Sequence, residues 1–115
     1  EPLVGYEYVR DAAKLAKAHG LKTVLVTNGC ASLEVLEEIL PEIDAMNIDL
    51  KGFCEEDFRY LGGDFQMTKD FIARAQKNTH VELTSLIVPH HNDDPSGWKK
   101  RRSGLPRLTQ GSRFI

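Results

Sequence analysis

Asn47, Asp49 and Lys51 alternate with Met46, Ile48 and Leu50 in the run AMNIDLK. Side chains two apart share one face of a strand, so an amide, a carboxylate and an ammonium project together while three apolar groups project the other way. A parallel strand is normally covered on both faces, and polar groups there need partners. Near the C-terminal end of such a strand they could meet a ligand. The alternative is that the strand emerges into water at Asp49, with Lys51 as a solvated neighbour. Thr27-Asn28-Gly29 follows another apolar run, VLV, and joins a hydroxyl and an amide to a glycine that permits close backbone approach. It suits a small-ligand turn and equally an ordinary βα turn. Glu82 and Thr84 share a face with Leu86 and Val88 in a third run, which leads into Pro-His-His-Asn-Asp-Asp. Histidines beside carboxylates can bind metal, but a polar loop is the commoner outcome. His19 and His80 fall near element ends, as solvated or capping groups. Cys30 and Cys54 form no C-x-x-C pair and by themselves signal no metal site.

The elements that must carry these residues alternate. Residues 7–19 place Tyr8, Ala12, Leu15 and His19 on one stripe, predicting an amphipathic helix stopped by Gly20. Residues 23–27 predict a buried strand. Ser32 caps a helix with Leu33, Leu36 and Leu40 inward, ended by Pro41. A strand follows over 45–51. Thr68 caps a third helix with Phe71, Ile72 and Ala75 inward, and 81–88 is a third strand stopped by Pro89. Strands alternating with helices at this spacing imply an α/β fold of about three βα units with parallel strands and right-handed connections. Only three strands are convincing, too few for a closed flavodoxin-like or receiver-like binding module, which remains the alternative.

The charge is uneven. Residues 1–94 hold nine Lys and Arg against 17 Asp and Glu; beyond Asp94 there are six Lys and Arg and no acid. The acidic body speaks against nucleic-acid binding by the folded part. A phosphate-binding basic arm at 95–115 is the competing reading of the tail. No apolar run is long enough to span a bilayer, and a reduced, cytoplasmic setting is expected for two unpaired thiols. The sequence begins at Glu1-Pro2 without an initiator Met, and a fragment is expected.

Glu1-Pro2, VLVTNG at 24–29, MNIDLKGF at 46–53 and LIVPHHND at 86–93 occur in the order and spacing found in radical S-adenosylmethionine enzymes. Over residues 1 to 94 the chain resembles that family, most closely the AmmeMemoRadiSam system branch, related to pyruvate formate-lyase activating enzymes. The resemblance implies the central part of a partial (β/α)6 barrel. Glu1 and Pro2 would close a Gly-Gly-Glu-Pro segment that holds the amino group of S-adenosylmethionine. Thr27 and Asn28 would lie beside its methionine part. Asn47, Asp49 and Lys51 would face the lumen, with Lys51 suited to the methionine carboxylate.

The family also uses a 4Fe–4S cluster held by a C-x-x-x-C-x-x-C loop, and its radical acts on a protein or small-molecule substrate. That loop is not in this sequence, and Cys30 and Cys54 do not replace it, so the chain alone is expected to bind no cluster and to be inactive, with no catalytic or metal-ligating residue of its own. Two departures stand out. Val26 replaces an acidic residue of a monovalent-cation site, and His90 replaces the glycine after the fifth-strand proline. No nucleic-acid or membrane partner is implied.

Residues 95–115 do not continue the family pattern. Pro106 and glycines at 97, 104 and 111 break any helical period. Read one base earlier, codons for the tail are compatible with MEKEAEWLASLDPGIPFH, which has the helix formers and the strand ending in His that the resemblance implies here and that the tail lacks. An irregular, out-of-frame tail is therefore expected.

Overall fold

The computed structural model describes residues 1–89, 92, 93, 113 and 114. A 3-10 turn, Pro2–Gly5, leads into α1 (Tyr6–Ala18). Then come β1 (Val24–Thr27), α2 (Leu33–Ile39), a 3-10 turn at Leu40–Glu42, and β2 (Ala45–Asp49). Two helices, α3 (Glu55–Leu61) and α4 (Phe65–Ala75), precede β3 (His80–Thr84), and β4 is Arg113–Phe114. The strands form one sheet in the order β1-β2-β3-β4, and every pair is parallel. The α/β architecture expected from the sequence is present.

Burial separates the two faces of the sheet. Leu25 pairs with Met46, Ile48 with Leu83, and Met46 with Val81; these side chains are buried, as is Leu50 just beyond β2. Helices cover this face, and Leu36, Ile39, Phe71 and Ile72 complete its core with no exposed surface. Ile48 alone, fully buried, accounts for roughly 1.5–3 kcal/mol of transfer free energy. The opposite face carries Val24, Val26, Asn47, Asp49, His80, Glu82 and Thr84, each half-buried or exposed.

Several local expectations are corrected. In α1 the inward face is Tyr6, Val9 and Ala13, whereas Tyr8 and Leu15 are 80% and 63% exposed. Both stripes fit a helical period, and the one built on Tyr6, Val9 and Ala13 is the one packed against the core. Asp64, not Thr68, caps α4: its carboxylate accepts from Met67 N–H at 2.8 Å. Thr68 lies one turn inside, fully buried, and donates to the Asp64 carbonyl at 3.0 Å. Hydroxyls that satisfy themselves on the preceding turn are tolerated inside helices, which is why Thr68 can mimic a cap in sequence. α3 is an additional helix. β3 ends at Thr84, so Leu86 and Val88 do not continue its face.

Within the segment 95–115 the described residues Arg113–Phe114 form a two-residue strand. Glu82 pairs with Arg113 and Leu83 with Phe114. The outer edge of β3 presents backbone donors and acceptors that an extended segment satisfies. The rest of the tail, and His90, His91 and Asp94 of the polar loop, lie outside the described residues.

Candidate functional site

The C-terminal ends of β1 and β2 form the rim where the candidate residues gather. Glu1 sits there because its backbone begins the Pro2–Gly5 turn, whose first N–H groups need acceptors. Its carboxylate caps that turn through Leu3 N–H at 3.1 Å. It also accepts from Thr27 Oγ1 at 2.6 Å and from Asn28 N–H at 2.7 Å. Burial works to raise the pKa of this carboxyl, but the donors from Asn28, Thr27 and Leu3 together outweigh it and hold the carboxyl below its ordinary value. Glu1 thus ties the first turn to the end of β1.

Thr27 and Asn28 are largely consumed by this arrangement. Thr27 is 3% exposed and its hydroxyl also accepts from Gly29 N–H at 3.1 Å. The Asn28 side chain accepts from Cys30 N–H at 2.9 Å, an Asx-type turn that shapes the β1–α2 connection. Gly29 is required in that turn. Its φ is 69°, and a Cβ would lie 2.9 Å from Ile48 Cγ2.

Asn47 and Asp49 lie on the open face, as their parity predicts. Asn47 Oδ1 accepts from Thr84 Oγ1 at 3.1 Å, and Asp49 pairs with the Lys51 ammonium. Thr27 pairs with Ile48, so it belongs to the covered face. Asn47 and Asp49 therefore share the open face, where Asp49 pairs with Lys51, while Glu1, Thr27 and Asn28 form a second cluster at the rim. Pro2 starts the turn beside Glu1. Parity identified the first cluster, but the Glu1 contacts span 26 and 27 residues and had no local signal in the sequence.

Asp57 was missed by sequence reasoning, which placed Thr84 on a strand face with Glu82 but gave it no partner. Thr84 meets Asn47 across the sheet. Asp57 lines a cavity of about 130 Å³ together with Lys51, Leu61, Leu86, Val88 and Asn92. A carboxylate two residues into a helix is a common stabilising feature, so nothing marked Asp57 out.

Among the described residues no group of three or more His, Cys, Asp or Glu is placed to hold a metal ion, and Cys30 and Cys54 are free. Two thiols, one in the β1–α2 turn and one before α3, do not fit an iron–sulfur cluster, which takes three or four thiolates. The donor set at the rim does fit S-adenosylmethionine: an ammonium for a carboxylate, with acceptor oxygens at Asp49 and Asn47 for hydroxyl or ammonium groups.

No protein-family profile matches the chain. Pyruvate formate-lyase 1-activating enzyme of Escherichia coli is 33% identical over 98 residues, spanning 82% of this chain and 40% of the enzyme. The chain is homologous to that activating enzyme. An uncharacterized protein of Methanocaldococcus jannaschii is 35% identical over 95 residues, spanning 82% of this chain and 28% of that protein. The chain thus covers well under half the length of either relative. A solved domain of a pyruvate-formate lyase-activating enzyme from Bacteroides vulgatus superposes with a TM-score of 0.77, covering 96% of this chain and 71% of that domain. Its 19% identity speaks to the fold alone. The activating-enzyme fold therefore accounts for the parallel strands and the helices between them.

Proposed function

We propose that residues 1–94 are the central part of a radical S-adenosylmethionine enzyme, in the AmmeMemoRadiSam branch, and that its open sheet face holds the methionine end of the cofactor. The observation that carries this reading is the Asn47–Asp49–Lys51 cluster at the C-terminal end of a parallel strand, on a chain homologous to an activating enzyme. Lys51 offers its ammonium to the methionine carboxylate, with Asp49 as its counter-ion in the free state. Asp49 and Asn47 supply acceptors to the ribose or amino groups, and Thr84 orients the Asn47 amide by donating to its oxygen. Glu1, held by Thr27 and Asn28, fixes the first turn as one wall of the site.

When S-adenosylmethionine and a 4Fe–4S cluster are bound in the parent enzyme, they supply one-electron cleavage of a sulfonium and a radical that abstracts hydrogen. This chain contributes binding and orientation. The cluster ligands belong to sequence outside it, and alone it is inactive. The radical's substrate is a protein or small molecule. Residues 95–115 are an out-of-frame reading, which the nucleotide sequence tests directly.

Calorimetric titration of the 115-residue chain with S-adenosylmethionine tests the site. Binding is expected, with Lys51→Met weakening it roughly tenfold or more, as loss of a charge-assisted pair does. Equal affinity in the two proteins would remove Lys51 from the site. An iron–sulfur absorption band after anaerobic reconstitution of the chain would overturn the assignment of the cluster ligands elsewhere.

A further inference from the structure

We propose that Asp57 is the positioning residue for Lys51, acting through the loop between β2 and α3. The proposal rests on the reading above that Lys51 receives an anionic group.

Lys51 lies two residues beyond β2, where the ladder no longer holds the chain. The last fixed point on the strand side is Leu50: its N–H donates to the Thr84 carbonyl at 2.8 Å, and its carbonyl accepts from Ser85 Oγ at 2.9 Å. On the far side of Lys51 the chain turns into α3 within three residues, and Asp57 holds all three. Its Oδ2 accepts from Phe53 N–H at 2.8 Å. Its Cβ lies so near Gly52 that a Cβ built there would come within 2.2 Å of it. Its carboxylate and N–H lie beside the Cys54 thiol. Phe53, 3% exposed, anchors the same loop in the core. Lys51 is thus suspended between two fixed points, one on each side of its own peptide unit.

A lysine side chain has four rotatable bonds and spends orientation freely in water. Fixing its backbone restricts where the ammonium can go. The groups facing it are Asp49, which pairs with it, and Asp57, which lines the same cavity. The exposed Asp49 pair is weak by itself, so geometry decides where the ammonium sits when a ligand carboxylate arrives. Gly52 is explained by the same device, because any side chain would displace Asp57.

Charge and position make opposite forecasts for two substitutions. Asp57→Asn keeps the shape and an oxygen acceptor for Phe53 N–H while removing the charge. Gly52→Ala keeps the charge and pushes Asp57 away. The first readout is affinity of the full 115-residue chain for S-adenosylmethionine. Positioning predicts that Asp57→Ala and Gly52→Ala weaken binding roughly tenfold, as small misplacements of a binding group do, and that Asp57→Asn stays within about twofold.

The second readout needs no ligand. In chain labelled with ε-13C lysine, a Lys51 held in place shows two inequivalent ε-methylene protons in its carbon–proton spectrum. These merge in Asp57→Ala and Gly52→Ala and stay separate in Asp57→Asn, with backbone fingerprints confirming the fold of each variant. Unchanged Lys51 signals in folded Gly52→Ala and Asp57→Ala, or merged signals in Asp57→Asn, overturn the proposal. Absence of S-adenosylmethionine binding by the unaltered chain, with the Lys51 pattern as predicted, would instead sink the cofactor reading and leave the positioning role standing.

Discussion

Carboxylates clamp both ends of β1. At its start Asp44 accepts from Thr23 N–H at 2.9 Å and Thr23 Oγ1 at 3.1 Å, and at its end Glu1 accepts from Thr27 and Asn28. Hydrogen bonding from Thr23 N–H, then the Lys22 ammonium, holds the Asp44 carboxyl below its ordinary value, as the rim donors hold Glu1 against its partial burial. A carboxyl whose pKa is depressed on folding stabilises the fold above its unfolded value and loses that contribution as pH falls through the folded one. The ordinary values are 3.8 and 4.5, so stability falls on acidification from about pH 4.5 downward. Urea unfolding between pH 7 and pH 3 should show a smaller acid loss in Asp44→Asn and Glu1→Gln; equal slopes in all three proteins would refute the clamps. Thr27→Val removes the donor to Glu1 and the acceptor for Gly29 N–H and should cost about 1–3 kcal/mol in the same measurement. Burial pushes the Cys54 thiol up, and the Asp57 and Glu56 carboxylates add to that. Alkylation of Cys54 at pH 7.5 should therefore be slower than that of a lysine-flanked model thiol, and faster reaction would contradict the assignment.

The βα turns are the elements that set the site. Each must leave a parallel strand, place one or two polar groups at the rim and enter a helix. The β1–α2 turn does so with Gly29 pressed on Ile48, and the β2–α3 turn with Gly52 pressed on Asp57. Gly29→Ala combines a left-handed φ with a 2.9 Å contact to a buried methyl and should destabilise by about 1–3 kcal/mol, read from the denaturation midpoint. No change in midpoint would show that the turn is softer than its packing indicates. α4 is started by Asp64, and Asp64→Ala should cost about 1 kcal/mol, whereas Thr68→Ala loses a buried packing group and not a cap.

At the scale of the whole molecule, β1 is the end strand of the sheet among the described residues, and it carries exposed apolar side chains. Val24 and Val26 are more than half exposed, as are Tyr8 and Leu15 on the outer stripe of α1. An uncharged edge strand free of proline is a template for pairing with another chain. Concentration-dependent self-association is expected in sedimentation velocity, and Val24→Lys should reduce it while changing stability by no more than about 0.5 kcal/mol. Association unaltered by this substitution would exclude the β1 edge as its cause. Among the described residues no helix is long and apolar enough to cross a membrane.

Periodicity sufficed for what depends on neighbours along the chain. Alternation along Met46–Asp49 fixed which side chains of β2 share a face, and apolar runs separated by helical stripes fixed the βα order. These patterns are local because strand and helix geometry repeat every two or 3.6 residues. Tertiary packing decided the rest. α1 offered two apolar stripes, and packing against the core buried Ala13 and partly buried Val9 while leaving Tyr8 and Leu15 outside. Thr27 went to the covered face because its register partner is Ile48, and its hydroxyl found Glu1 across 26 residues. Asp57 acquired its place from a backward reach over Gly52 and Phe53. Register and long-range hydrogen bonds are set by which surfaces meet in three dimensions, and a one-dimensional pattern cannot rank those meetings.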